Sequence, residues 1–156
     1  MATSPPQPHL LRDLAIETRH RELRPVYRLS ERRAKRRGAP GTEFDFELRE
    51  GRDNLAQAII MRLLTPRGEL APLGHPGYGS RLHELVGHGN TSTGRNLARL
   101  HILDALQQEP RVEAVEQLRV EPSPGRRDTL DVLLRVSAAG FSDRVEIGPF
   151  LLDLAP

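Results

Sequence analysis

Asp128–Ser137 reads "DTLDVLLRVS". Leu130, Val132, Leu134 and Val136 alternate with Asp131, Arg135 and Ser137, the period of two that gives a strand one apolar face. The flanking segments share this character. Upstream, "VEQLRVEP" (Val115–Pro122) places Leu118 and Val120 on one face, and "SPGRR" (Ser123–Arg127) supplies hairpin-turn chemistry between the two strands. Downstream, "RVEIGPFLLDL" (Arg144–Leu154) contributes Val145 and Ile147. Its Pro149 cannot donate to a ladder, so it belongs at a sheet edge or strand end.

Before these strands the period changes from two to that of a helix. "RNLARLHILDALQQE" (Arg95–Glu109) shows Leu97, Leu100, Leu103 and Leu106, with Ile102 beside them, and Pro110 ends the pattern near Glu109. "NTSTG" (Asn90–Gly94) is a cap signal for this helix. "SRLHELVG" (Ser80–Gly87) reads as a short helical piece, with Ser80 as cap and Leu82 and Leu85 inward. "GRDNLAQAIIMRLLTPRG" (Gly51–Gly68) is the clearest helix. Asp53 or Asn54 caps it, Leu55, Ala58, Ile59 and Leu63 form its stripe, Arg62 falls outside the stripe, and Pro66 stops it. "TEFDFELRE" (Thr42–Glu50) alternates Phe44, Phe46 and Leu48 with charges, as a half-buried strand would. The expected fold is α+β: a small, mostly antiparallel sheet packed against two or three helices, with a basic N-terminal extension.

That extension covers residues 1–40, and the compact domain covers 41–156 from the turn "RGAPG" (Arg37–Gly41) onward. Residues 1–8 are proline-rich with nothing to bury, and disorder is expected there. "HLLRDLAIETRHRELR" (His9–Arg24) is read as a short helix ended by Pro25. The net charge of +2 hides an asymmetry: residues 1–37 carry ten Arg/Lys against four Asp/Glu, a net of +6, leaving −4 for the remainder. The cluster "RLSERRAKRRG" (Arg28–Gly38) suits phosphate neutralisation, and equally a solvated or subunit-docking arm.

The chain has 156 residues, enough for one domain with a real core. It has no cysteine, which excludes disulfides, thiol nucleophiles and thiolate metal sites. No apolar run approaches the ~20 residues of a membrane span. The start "MATSPPQPHLL" lacks the charge and apolar run of a secretory signal. These features point to a cytoplasmic protein with no membrane partner.

Between the helices lies "LTPRGELAPLGHPGYGSRLHELVG" (Leu64–Gly87), rich in glycine, proline and polar side chains. "HELVGH" (His83–His88) approaches a metalloprotease motif. That motif needs histidines four apart, within about 40° on a helix, whereas five apart separates them by about 140°. Glu69 and Glu84 would be the carboxylates of a glycosidase, yet the chain lacks tryptophan platforms for sugar. "YGS" is no nucleophile elbow, and "GHPGYG" has no phosphate-loop lysine. No catalytic residue, metal or cofactor is expected. What remains is a stiff loop: Pro66, Pro72 and Pro76 restrict the backbone, while Gly74, Gly77 and Gly79 allow tight turns. Tyr78 either anchors an interface or packs the loop on its own domain.

Asn54–Gly87, "NLAQAIIMRLLTPRGELAPLGHPGYGSRLHELVG", resembles the core signature of the baseplate wedge and sheath-initiator family of contractile tails, some members of which carry a lysozyme-like name. The family occurs in contractile phages, R-type pyocins, type VI secretion systems and extracellular contractile injection systems. "ALQQEPRV" (Ala105–Val112) resembles its Glu-Pro-Arg motif through Glu109, Pro110 and Arg111. The likeness covers about residues 44–153, and the arginine-rich residues 1–40 depart from the compact members.

The resemblance implies a non-enzymatic structural subunit in six copies, assembled in the cytoplasm into a phage-tail-like particle. It implies contacts with the sheath protein, with the core bundle of the wedge, and with a tube or hub protein. The first sheath ring would be templated by β-strand augmentation. Glu109, Pro110 and Arg111 are the expected protein interface, with Tyr78, His75, Arg67 and Arg81 joining from the loop. Glu109 and Arg111 are either held outward for contact or paired internally at the helix end. Two other classes stay open: a peptidoglycan glycosidase using Glu69 and Glu84, and a nucleic-acid binder using the basic arm, though nucleic acid is not the expected partner.

Overall fold

The structure, a computed structural model, describes residues 11–21, 24–34, 43–140 and 144–155. The expected disorder of residues 1–8 and the turn at Arg37–Gly41 lie outside them. The fold is α+β with antiparallel strand ladders. The chain divides into two compact units, Met1–Gln57 and Ala58–Pro156. Helix α1 (Gly51–Leu64) runs across that division.

The first unit holds six short strands: β1 (Arg12–Leu14), β2 (Ile16–Arg21), β3 (Arg24–Leu29), β4 (Glu31–Ala34), β5 (Glu43–Phe46) and β6 (Leu48–Glu50). They pair as three two-stranded ribbons, β1 with β6, β2 with β3 and β4 with β5. The ribbons meet at one point through a closed ring of backbone bonds. Ala15 N–H donates to Glu47 O at 2.8 Å, Glu47 N–H to Ser30 O at 2.8 Å, and Ser30 N–H to Ala15 O at 2.9 Å. The Gln57 side chain of α1 braces this junction: its amide donates to Leu14 O and its carbonyl accepts from Ile16 N–H, both at 2.8 Å.

This architecture corrects three expectations. The helix read into His9–Arg24 is β1 and the β2–β3 ribbon, and Pro25 sits within β3 opposite His20. Thr42–Glu50 does not form one half-buried strand; Glu47 interrupts it at the junction, and Phe44, Phe46 and Leu48 are exposed. Helix α1 begins at Gly51 rather than after a cap at Asp53 or Asn54, and Asn54 is buried within it.

The second unit contains the end of α1, a long loop, α2 (Ser92–Gln107) and strands β7 (Val112–Pro122), β8 (Thr129–Ala138) and β9 (Arg144–Asp153), in sheet order β7-β8-β9. Leu130, Val132, Leu134 and Val136 of the central strand are wholly buried, as their alternation requires. Val120, Val145 and Ile147 on its neighbours are buried too. Each such side chain contributes about 1.5–3 kcal/mol by leaving water. The Thr91 hydroxyl caps α2 by accepting from Gly94 N–H. Leu82 and Leu85 point inward from a 3-10 turn, as expected. On α2 the buried residues are Ala98, Ile102, Ala105 and Leu106, while Leu100 is 60% exposed, against expectation. Among the described residues no helix is long and apolar enough to cross a membrane.

Candidate functional site

The loop after α1 folds back on itself. Thr65 O accepts from Ser80 N–H, and Ser80 O from Arg67 N–H, joining the two ends of the loop. Ser80 is buried, and its hydroxyl donates to Leu63 O at 2.6 Å while accepting from Leu82 N–H. It therefore clamps the helix end as well as starting the 3-10 turn. Gly79 makes this closure possible. Its φ is +104°, and a Cβ there would lie 2.5 Å from Thr65 O and 2.8 Å from Pro66 O. Only glycine fits both the backbone region and the gap.

Beneath the loop is a buried charged cluster. Glu109 is 5% exposed. It accepts from Arg62 at 3.3 Å and from Arg111 Nε at 2.6 Å. The Arg62 guanidinium lies 4.5 Å from the centre of the Tyr78 ring, within cation–π range. Arg62 is itself buried, which corrects its expected place outside the apolar stripe of α1. Its Nε has no hydrogen-bond partner among the described residues.

Burial is the largest single influence on Glu109 and would raise its pKa. The hydrogen bond and charge of Arg111, with the charge of Arg62, outweigh it, so the carboxyl titrates below its ordinary range. Burial raises the Tyr78 hydroxyl above its ordinary value despite the opposing Arg62 charge. At neutral pH the cluster thus holds two cations, one carboxylate and a protonated phenol.

Of the seven residues proposed from sequence, the structure gathers Glu109, Arg111 and Tyr78 around Arg62. Glu109 and Arg111 form the internal pair at the helix end rather than an outward-facing one. Pro110 is exposed and Arg111 keeps part of its side chain at the surface. Arg67 is exposed and bonds Asp104 on α2. The Gln108 amide, oriented to satisfy both of its ends, donates to Gly77 O and accepts from Arg67. His75 is exposed, with its backbone carbonyl accepting from Tyr78 N–H.

Arg81 grips Glu84 through two bonds of 2.8 Å on the surface. The arginine holds that carboxyl below its ordinary pKa, chiefly by hydrogen bonding. Glu69 and Glu84 are both exposed, and Glu84 is engaged by this arginine. His83 and His88 are exposed on either side of the turn's end. Among the described residues no three His, Asp or Glu side chains form a metal-holding group.

Arg62 is the functional-site residue that the sequence reading missed. Helical spacing puts Arg62 seven residues after Leu55, about 20° from it and within the apolar stripe, so its burial had a local signal; its partner, 47 residues away, had none.

The edges of the β7-β8-β9 sheet complete the candidate surface. Among the described residues, no strand pairs with the outer side of β7 or of β9. Compared with known proteins, the chain matches no family model and no curated protein.

Proposed function

We propose that this chain is a structural baseplate subunit of a contractile, tail-like injection system. In this reading it joins the wedge to the sheath and templates the first sheath ring by accepting a strand from the sheath protein. The observation that carries the reading is the outer edge of β9, which pairs with no strand among the described residues, in a three-stranded sheet backed by a well-packed helix. An unpaired edge offers N–H and C=O groups to another chain, and natural proteins rarely leave one without a covering partner or a protective device. The likeness of Asn54–Gly87 and Glu109–Arg111 to the sheath-initiator signature supports the same assignment. The buried cluster then serves as a rigid footing, with Pro110 and the exposed part of Arg111 available to the wedge core.

The test is assembly. Leu151 is exposed on β9, so Leu151→Lys should leave the isolated chain folded while discouraging strand addition at that edge. Electron micrographs of particles made with this variant should show tubes and baseplates bearing little or no sheath. Full-length sheath on particles that contain the variant would refute the proposal.

A further inference from the structure

The three-ribbon junction of the first unit has two unlike faces. Strand alternation places Ala15, Ser30 and Glu47 on one face, where Ala15 and Ser30 are buried beside the Gln57 brace. The pairs that surround this ring are Leu14 with Leu48, Ile16 with Leu29, and Glu31 with Phe46. They share the opposite face, so five of its six central residues are apolar. Phe44 follows Phe46 on the same side, opposite Arg33. Leu14, Leu29, Leu48, Phe46 and Phe44 are 36%, 38%, 42%, 46% and 67% exposed, and Ile16 is half-buried.

Half of the exposed large hydrophobic side chains of the described residues therefore collect on this one disc. Soluble proteins seldom leave such a patch uncovered. Two-stranded ribbons are also marginal unless something packs against them.

We propose that a second copy of this chain covers the disc, face to face about a two-fold axis. The rim argues for this occupant. On the apolar side Arg12, Arg33 and Glu50 lie around the six central residues, Glu31 is the one charged residue among those six, and Arg12 already pairs with Glu50 at 2.5 Å. Two cations thus balance two carboxylates on this face, a mixed pattern that a second copy of the same face can match. Glu31 and Arg33, both exposed, give a two-fold mate one group of each sign to meet its own. The two apolar discs then stack as sheets do, about 10 Å apart. The pair belongs to the free chain in solution and does not depend on the baseplate assignment.

Sedimentation equilibrium of the full chain tests it. The mass should rise with concentration from 17.5 kDa toward twice that value. Phe46→Glu and Leu48→Glu should each weaken association at least about tenfold. Because a charge at either apolar position can disturb the ribbons, charge reversals at exposed positions provide a second arm. Glu31→Arg alone and Arg33→Glu alone should each associate more weakly than the parent. An equimolar mixture of the two should associate more tightly than either, since each copy then meets the opposite sign.

A chain that stays monomeric throughout overturns the proposal. So does a dimer insensitive to all four substitutions, or a mixture no tighter than its components. Retention of the parent chain on a polyanion, lost on Arg33→Glu while the mass stays at 17.5 kDa, would assign the face to nucleic acid instead.

Discussion

Replacing Glu109 with glutamine tests whether the buried cluster holds the second unit together. The shape is kept, while the charge that balances Arg62 and Arg111 is removed. Breaking a buried pair by deleting one partner costs about 3–5 kcal/mol, because the remaining charge stays desolvated. Two features of this site reduce that figure. The Arg111 side chain is 17% exposed, so water screens part of its charge. Arg62 keeps its contact with the Tyr78 ring. A loss of about 2–3 kcal/mol is expected, a shift of roughly 1–2 M in a urea midpoint. Exchange of the Val132 and Leu134 amides, in the central strand, reads the loss in this unit alone. Glu109→Leu combined with Arg62→Met should restore much of it, since apolar side chains replace buried charges at little cost.

The pH dependence separates charge from shape. The folded-state pKa of Glu109 lies below its ordinary value of 4.5. Its stabilisation is therefore fully present above that value and is lost as pH falls through the folded-state pKa. The gap between parent and Glu109→Gln should be widest at neutral pH and close progressively as the solution is acidified below 4.5. A gap that is absent at pH 7, or that keeps its size on acidification, refutes the electrostatic account.

Three further substitutions probe the loop and the junction. Gly79→Ala forces a Cβ to within 2.5 Å of Thr65 O at φ +104° and should cost about 2–4 kcal/mol. Gly74→Ala, at φ +86° with open space around it, should cost only about 1 kcal/mol in the same thermal melt. Equal losses would show that the gap at Gly79 is irrelevant. Gln57→Leu strands Leu14 O and Ile16 N–H and should cost about 2–3 kcal/mol. Faster exchange of the Ile16 amide checks it, and unchanged exchange would mean that the brace does not hold the junction.

The sheet was legible because its signal is local. Alternation along Leu130–Val136, turn residues at Ser123–Arg127 and the Thr91 cap each act within a few positions. The face of α2 was misread for a geometric reason. Leucines every three residues advance about 300° per step, so Leu97 to Leu106 spread over about half the helix circumference. Ala98, Ile102, Ala105 and Leu106 keep to one side, and the alanines let α2 lie close to β7. The first unit was illegible because its organising contacts are long-range. Ala15, Ser30 and Glu47 carry no side chain that announces a shared junction, and Gln57 reaches the chain more than forty positions away. Phe44 and Phe46 did signal a strand. Their pattern could not say whether anything would cover it.

The devices that guard the open sheet edges also limit what can be added to them. On β9, Gly148 has φ +107°, and a Cβ there would meet Val132 O at 2.6 Å. The ladder with β8 shifts register at the same point. The next residue, Pro149, has no N–H to offer. The β9 edge is thereby cut into Arg144–Ile147 and Phe150–Asp153. On β7 the register shifts twice, between Val112 and Ala114 and between Val115 and Gln117, leaving Gln117–Pro122 as its longest regular run. Neither edge offers a long flat template for indiscriminate pairing. On β9 an incoming strand finds about four regular residues on either side of the interruption, too few for backbone bonds alone to hold it. Specificity must then come from side-chain contact beside the edge, which gives the Phe150–Asp153 end, with Leu151 and Asp153 exposed, more weight in strand acceptance than the hydrogen-bond count.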